Sequence, residues 1–542
     1  MLGQTPDLAG SWYAVLYITL ANRIMEPNQD PPSSPLPLKS NRRTFLRAAA
    51  GVGVAASARA SSAPPNIVVI ACDDLGYGDL SSYGSGIATP NIDSIGQQGI
   101  QFMQCDSSAS VCTPARAGIM TGRYPNRYGL PRVLSPTDTY GLPASETTIA
   151  QMLKPAGYRT MCVGKWHLGS VVPFLPVNKG FDEWYGIPYS IDQGNRPLMH
   201  NTDIIEEPAN LNNLTNRYTG WATNFISASA GSPFFLYLAH SFPHIPLAAS
   251  QPFLGQSFQG LYGDVVQEID WSTGQVLQAL QSAGVDSNTL VIFTSDHGPW
   301  YQGSPGRLRG RKGETWEGGV RVPFLARFPG FIPPGQVVTN FITTMDILPT
   351  VASLTGAALP PLAPDGMDIT PLLTGAQSSL SRGAFLYFND VYLQAARLGT
   401  WKLHVTRFNM PAFTELPACG LLNLPLPSPE LYHPYADPEE AHDRSDRNPG
   451  NVAQIRGLMD QMIQTFPGDV QNAWYNTLAQ PLGGTPSGAY PAPASSSAAG
   501  RQFHLPVHGP ATPPARALAG AAPPNPLNQP ADSRKSGLPA GG

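Results

Sequence analysis

Over residues 64–375 the apolar positions fall in short runs, separated by stretches with helical spacing. Ile67–Cys72, Arg159–Val163, Phe234–Leu238, Leu290–Thr294 and Val322–Phe328 read as buried strands. Asp264–Gln281 carries an amphipathic period and predicts a long helix that Gly284 ends. This alternation predicts an α/β fold, a sheet with helices on both faces. Residues 376–480 begin again with strand-like segments, Ala384–Tyr387, Leu393–Leu398 and Trp401–Val405, then a helix from Asn451 to Thr465. They predict a smaller C-terminal α+β domain.

The ends of the chain read differently. In residues 1–40 the apolar stretch Trp12–Leu20 is too short to span a bilayer, and Pro31, Pro32, Pro35 and Pro37 break regular structure, so a disordered extension is expected. Residues 41–63 run Asn41-Arg42-Arg43-Thr44-Phe45-Leu46-Arg47, then an Ala/Gly/Val run to Ala56, with Ala58 and Ala60 in A-x-A-like spacing. This resembles a twin-arginine export signal, which implies export machinery as a partner and a periplasmic or secreted location. A disordered basic linker is the alternative reading. Such signals sit near a start, so Met25 or a nearby alternative codon is the expected initiation site. Residues 481–542 are dominated by Pro, Ala, Gly and Ser without an apolar period, and predict a disordered tail.

Composition narrows the function classes. The chain has 542 residues, with a net charge of −4 and only 13% charged residues. No global basic field invites nucleic acid or an anionic membrane, and no apolar run is long enough for a stable membrane anchor. The five cysteines, Cys72, Cys105, Cys112, Cys162 and Cys419, are too few for a disulfide scaffold and form no C-x-x-C zinc pair. Cys72 and Cys162 lie in strand-like runs and read as buried thiols.

Chemistry gathers where strands end. Asp73 and Asp74 follow the first strand, Lys165 and His167 the second, His240 and His244 the third, Asp296 and His297 the fourth. Open α/β sheets bind ligands beyond the carboxyl ends of their strands, so four such ends can converge on one site. Adjacent aspartates are costly to place together without a cation. Asp73-Asp74 is either a solvated turn or, with Asp296, an oxygen-rich set for Ca²⁺ or Mg²⁺. Cys112 opens Cys112-Thr113-Pro114-Ala115-Arg116, with Pro114 suited to a first helical turn. That places Cys112 at a helix N-terminus that favours an anion, with Arg116 one turn on. An inert buried thiol is the other reading of Cys112.

These residues carry a family resemblance. Cys112-Thr113-Pro114-Ala115-Arg116 with Thr121-Gly122-Arg123 resembles the C-x-P-x-R signature of the formylglycine-dependent sulfatases. The likeness extends to Asp73-Asp74-Leu75-Gly76, Gly164-Lys165-Trp166-His167, Pro243-His244, Ser295-Asp296-His297-Gly298 and Lys312-Gly313-Glu314-Thr315. It covers residues 64–475 in the family's order, and the C-terminal part is most similar to the arylsulfatase A-like branch. The resemblance implies an alkaline-phosphatase-like mixed sheet sandwiched by helices, with the smaller C-terminal domain. It implies a sulfuric ester hydrolase acting on aryl or carbohydrate sulfates, with Cys112 converted to formylglycine by a separate maturation enzyme. Asp73, Asp74, Cys112, Asp296 and His297 match metal-site positions, although many members carry Asn where this chain has His297. Cys112, Arg116, Lys165, His167, His244 and Lys312 match catalytic positions. His244 is the expected proton donor to the leaving alcohol, with Asp296 as alternative, and His167 the expected base. Two other functions stay open at this point: a phosphonate or phosphate ester hydrolase of the same superfamily, and a sulfated-glycan-binding protein without turnover.

Overall fold

The computed structural model describes residues 63–410 and 421–480. The extension expected over 1–40, the signal over 41–63 as far as residue 62, the tail over 481–542, and Cys419 lie outside the described residues.

The larger sheet has 11 strands. They are β1 Asn66–Cys72, β2 Ile100–Asp106, β3 Arg159–Gly164, β4 Glu183–Gly186, β5 Leu198–His200, β6 Asp203–Glu206, β7 Phe234–Ala239, β8 Thr289–Ser295, β9 Arg321–Arg327, β10 Gln336–Val338 and β11 Ile342–Thr343. Their order is β10-β2-β9-β8-β1-β7-β3-β4-β5-β6, with β11 beside β2. β1 is central and parallel to both neighbours, β7 and β8. β9 runs antiparallel to β8 and to β2, which makes the sheet mixed as expected.

Both faces of β1 are buried. Ile67, Val69 and Ala71 join the core on one side, and Val68, Ile70 and Cys72 the core on the other. A strand covered on both faces cannot alternate apolar with polar, which is why its sequence is an unbroken apolar run. Helix Gly260–Ser282 closes over the second face. It starts four residues before the expected Asp264, whose carboxylate, inside the first turns, accepts the N–H groups of Gly255 and Ser257 in the preceding loop at 2.8 and 2.7 Å. The pattern does not single out β2, since Gln101 and Gln104 interrupt it. These amides donate to the carbonyls of Ser82 and Thr339, so a polar break is accommodated within a strand.

The second sheet is antiparallel, β12 Phe385–Asn389, β13 Tyr392–Leu398, β14 Trp401–Phe408 and β15 Asn423–Tyr432, in that order. Helices Pro449–Ile463 and Gly468–Leu478 cover it through Ile455, Met459, Ile463 and Trp474. Its core also takes in Tyr124, Val320 and Met345 from the larger unit, so the two sheets share buried surface. Among the described residues no helix is long and apolar enough to cross a membrane.

Candidate active site

The four predicted strand ends meet. Asp73 and Asp74 follow β1, Lys165 and His167 follow β3, His244 follows β7, and Asp296 and His297 follow β8. Cys112 arrives from the end of β2 as the first residue of helix Cys112–Thr121, which Gly122 ends in a left-handed conformation at φ 68°. Lys312 comes from the loop between β8 and β9. All these side chains are buried.

Cys112 Sγ lies 3.5 Å from Asp73 Oδ1 and 3.3 Å from His297 Nε2. Lys165 Nζ meets Asp73 Oδ2 at 2.6 Å, and Lys312 Nζ meets Asp74 Oδ1 at 2.8 Å. Arg116 reaches Asp296 Oδ2 with Nε and Nη2, both at 3.0 Å. Its Nη1 donates to the Lys165 carbonyl at 3.0 Å. Three carboxylates are thus balanced by three fixed cations. Burial raises the Asp73 carboxyl, but Lys165, His244, Arg116 and Lys312 outweigh it and hold the group well below its ordinary range. Burial also opposes ionisation of Cys112, yet Lys165 and Lys312 bring this thiol down to about 6.

The histidines are poised differently. His297 Nδ1 lies 2.9 Å from the Gly298 carbonyl, which fixes the N–H there. Nε2 then faces Asp74 Oδ1 at 3.5 Å and Asp296 Oδ1 at 3.6 Å. Such a nitrogen among carboxylates takes a proton or a metal ion. Asp73, Asp296, His297 and the Cys112 side chain offer ligand atoms within 4.8 Å of one another, and Asp74, Cys112 and His244 form a second such group. The three buried carboxylates, Asp73, Asp74 and Asp296, supply hard oxygen donors that fit an oxygen-preferring divalent cation.

His167 donates from Nε2 to the Leu134 carbonyl at 3.0 Å, and its buried Nδ1 has no hydrogen-bond partner among the described residues. Burial, then Lys165, holds this ring well below the usual histidine range, so Nδ1 keeps its lone pair. His244 is turned by its Nδ1 donating to Ile245 O at 2.6 Å, and Nε2 faces Ser190 Oγ at 3.3 Å and Asp74 Oδ2 at 3.7 Å.

Ser190 is the site residue that the sequence does not reveal. Its hydroxyl stands between His244 and Lys165 Nζ, the latter at 3.2 Å. It follows β4, which runs parallel to β3, so the strand-end rule applied to a fifth strand finds it. Of the arginines beside Lys312, Arg307 pairs with Glu439 on the surface. Arg309 bonds Glu440 O and stacks on Trp316, and Arg311 bonds the carbonyls of Trp300 and Gly303. Trp166 and Trp316 are buried, and Trp300 lies beside Lys312, 6.0 Å from ring centre to Nζ.

The mixed sheet thus gathers carboxylates, lysines and a cysteine-headed helix at its strand ends, around groups that could hold a metal ion. The family model for sulfatases matches residues 65–357. Arylsulfatase A of Bos taurus is 39% identical over 435 residues, covering 72% of this chain and 85% of the relative. N-acetylgalactosamine-6-sulfatase of Canis lupus familiaris is 38% identical over 397 residues, 67% of this chain and 75% of the relative. Among solved structures, the PsFucS1 sulfatase from Pseudoalteromonas sp. superposes with a TM-score of 0.67 at 27% identity, over 74% of this chain and 90% of that one. The chain belongs to the sulfatase family, and with it to the sulfuric ester hydrolases. The family is metal-dependent and works through a cysteine-derived formylglycine.

Proposed function

We propose that the chain hydrolyses aryl or carbohydrate sulfate monoesters at Cys112, with Ca²⁺ as the resident cation and Mg²⁺ as the alternative. The observation that carries this reading is the placement of Cys112, at a helix N-terminus and between Asp73 and His297. Asp73, Asp74, Asp296 and His297 would hold the cation, together with the side chain at position 112. When present, the cation acidifies the attacking hydroxyl that formylglycine supplies in place of the thiol.

The remaining work falls to the chain's own groups. Arg116, Lys165 and Lys312 are fixed cations that stabilise charge on the sulfuryl oxygens, an electrostatic task that needs no reorganisation. In its doubly protonated form His244, with Nδ1–H held by Ile245 O, gives the Nε2 proton to the leaving alcohol and is left neutral. Asp296 is the weaker donor, since its Oδ2 already accepts the Arg116 Nε–H and lies 3.0 Å from Nη2 of the same guanidinium. His167 Nδ1 takes a proton from the side chain at position 112, which releases sulfate and restores the aldehyde. Ser190 orients His244 and Lys165 together.

The Arg42-Arg43 segment supports export through a twin-arginine route, after a maturation enzyme has converted Cys112 in the cytoplasm. Mass spectrometry of the exported chain tests both. The peptide holding residue 112 carries the aldehyde, and the new N-terminus falls close to residue 63; an active exported chain with an intact Cys112 thiol refutes the reading. In turnover assays Cys112→Ala abolishes sulfate release, and chelation of divalent ions lowers it. Faster turnover of a matched aryl phosphate diester than of the aryl sulfate would move the assignment to the phosphoesterase branch.

A further inference from the structure

We propose that Asn389, at the end of β12 in the C-terminal sheet, is a positioning residue for Lys312. The inference rests on the reading of Lys312 as a cation for the sulfuryl group. An ammonium on a four-carbon stem is placed only as well as the backbone that carries it. The backbone at Lys312 is pinned from three directions. The Lys312 N–H donates to Pro299 O at 3.0 Å, in the segment after β8. The Gly313 N–H donates to Ser110 O at 2.8 Å, two residues before Cys112. The Gly313 carbonyl accepts from Asn389 Nδ2 at 2.6 Å. Gly313 has φ 84°, a conformation that only glycine adopts without strain, so this turn has one shape to hold.

The hairpin that brings Asn389 is itself held. Asn126 Nδ2, just beyond the Cys112 helix, donates to Asp390 O at 2.7 Å, and Asp390 takes a left-handed φ of 54° at the tip. Further along the same loop, Thr315 Oγ1 donates to Gln394 Oε1 of β13 at 2.9 Å. The second sheet therefore reaches the reaction centre through one amide placed against the peptide that follows Lys312. Asn389 is only half-buried, so water replaces it at the Gly313 carbonyl when it is removed. Its loss then changes where Lys312 sits more than whether the protein folds.

The test uses the full chain and 4-nitrophenyl sulfate, with rates normalised to formylglycine content at residue 112. Asn389→Ala lowers kcat by about 10- to 100-fold, with KM and the melting midpoint nearly unchanged. Asn389→Asp, which keeps the shape and removes the donor, does the same and serves if Asn389→Ala proves unstable. In a Lys312→Arg background the Asn389 substitution costs less than about threefold, because a residue that acts through Lys312 has little left to place. Full kcat in both Asn389 variants, or an equal loss in both backgrounds, overturns the inference. Lys312→Ala separates the two levels. If it is inactive while the Asn389 variants work normally, only the positioning role falls; if it is fully active, the reading of Lys312 falls as well.

Discussion

His240, at the end of β7, is fully buried, and neither ring nitrogen has a hydrogen-bond partner among the described residues. Burial alone lowers its pKa to about 3, against 6.5 in an unfolded chain. The unfolded state takes a proton near pH 6.5 that the folded state refuses until about pH 3. Stability is therefore lost as pH falls through that window. Two pH units below 6.5 correspond to about 2–3 kcal/mol. Denaturant titrations at pH 7 and pH 4.5 should show a loss smaller by that amount in His240→Leu than in the parent, and equal losses in the two proteins would refute it. At this scale the site was largely legible. Asp73, Asp74, Cys112, Lys165, His244, Asp296 and Lys312 sit in short recognisable strings. Ser190 does not: the short strand before it, Glu183–Gly186, is not among the predicted runs, so the strand-end rule has nothing to act on until the structure shows that strand and the serine's contacts with Lys165 and His244.

Among the elements, β14 shows how the second sheet attaches. Lys402 Nζ, fully buried, pairs with Glu317 Oε1 at 2.9 Å and Glu440 Oε1 at 3.5 Å. Glu440 also accepts from His404 Nε2 at 2.9 Å and from the Glu317 N–H at 2.7 Å, where the chain enters β9. Removing one partner from a buried ionic group leaves the others uncompensated, at about 3–5 kcal/mol. Lys402→Ala is expected to lose stability on that scale in denaturant melts, whereas Lys402→Arg, which keeps the charge, loses less. An unfolding midpoint unmoved by Lys402→Ala would contradict this account. Buried strands were legible as apolar runs, and helix Gly260–Ser282 nearly so. β2 and the short strands were not. In β2 the polar Gln101 and Gln104 are satisfied by the carbonyls of Ser82 and Thr339, which local periodicity cannot register, and strands of two to four residues are too short to show a period.

Across the whole molecule, the low charged fraction takes on a meaning. Many of the charges that exist, Asp73, Asp74, Asp106, Arg116, Lys165, Asp296, Glu317, Arg321 and Lys402 among them, are interior and matched. One such network serves the reaction centre, and another joins the two sheets, which also share Tyr124, Val320 and Met345 in one core. The sheets should therefore unfold together. Tryptophan fluorescence and far-ultraviolet dichroism are expected to give coincident transitions, and a chain ended at residue 375 should fail to fold cooperatively; two separated transitions would refute the shared core.

The burial of Cys112 sets a clock. With 2% of its surface exposed, this side chain is out of reach of another protein's active site once the fold has closed. Closure waits on β8, because the cysteine's partner His297 lies 185 residues further along the chain. At about 5–20 residues per second, synthesis of that stretch takes roughly 10–40 s. A topology built on distant pairings thus gives the proposed maturation enzyme an interval in which position 112 is still in an open chain, and the length of the sequence between Cys112 and His297 sets how long that interval lasts.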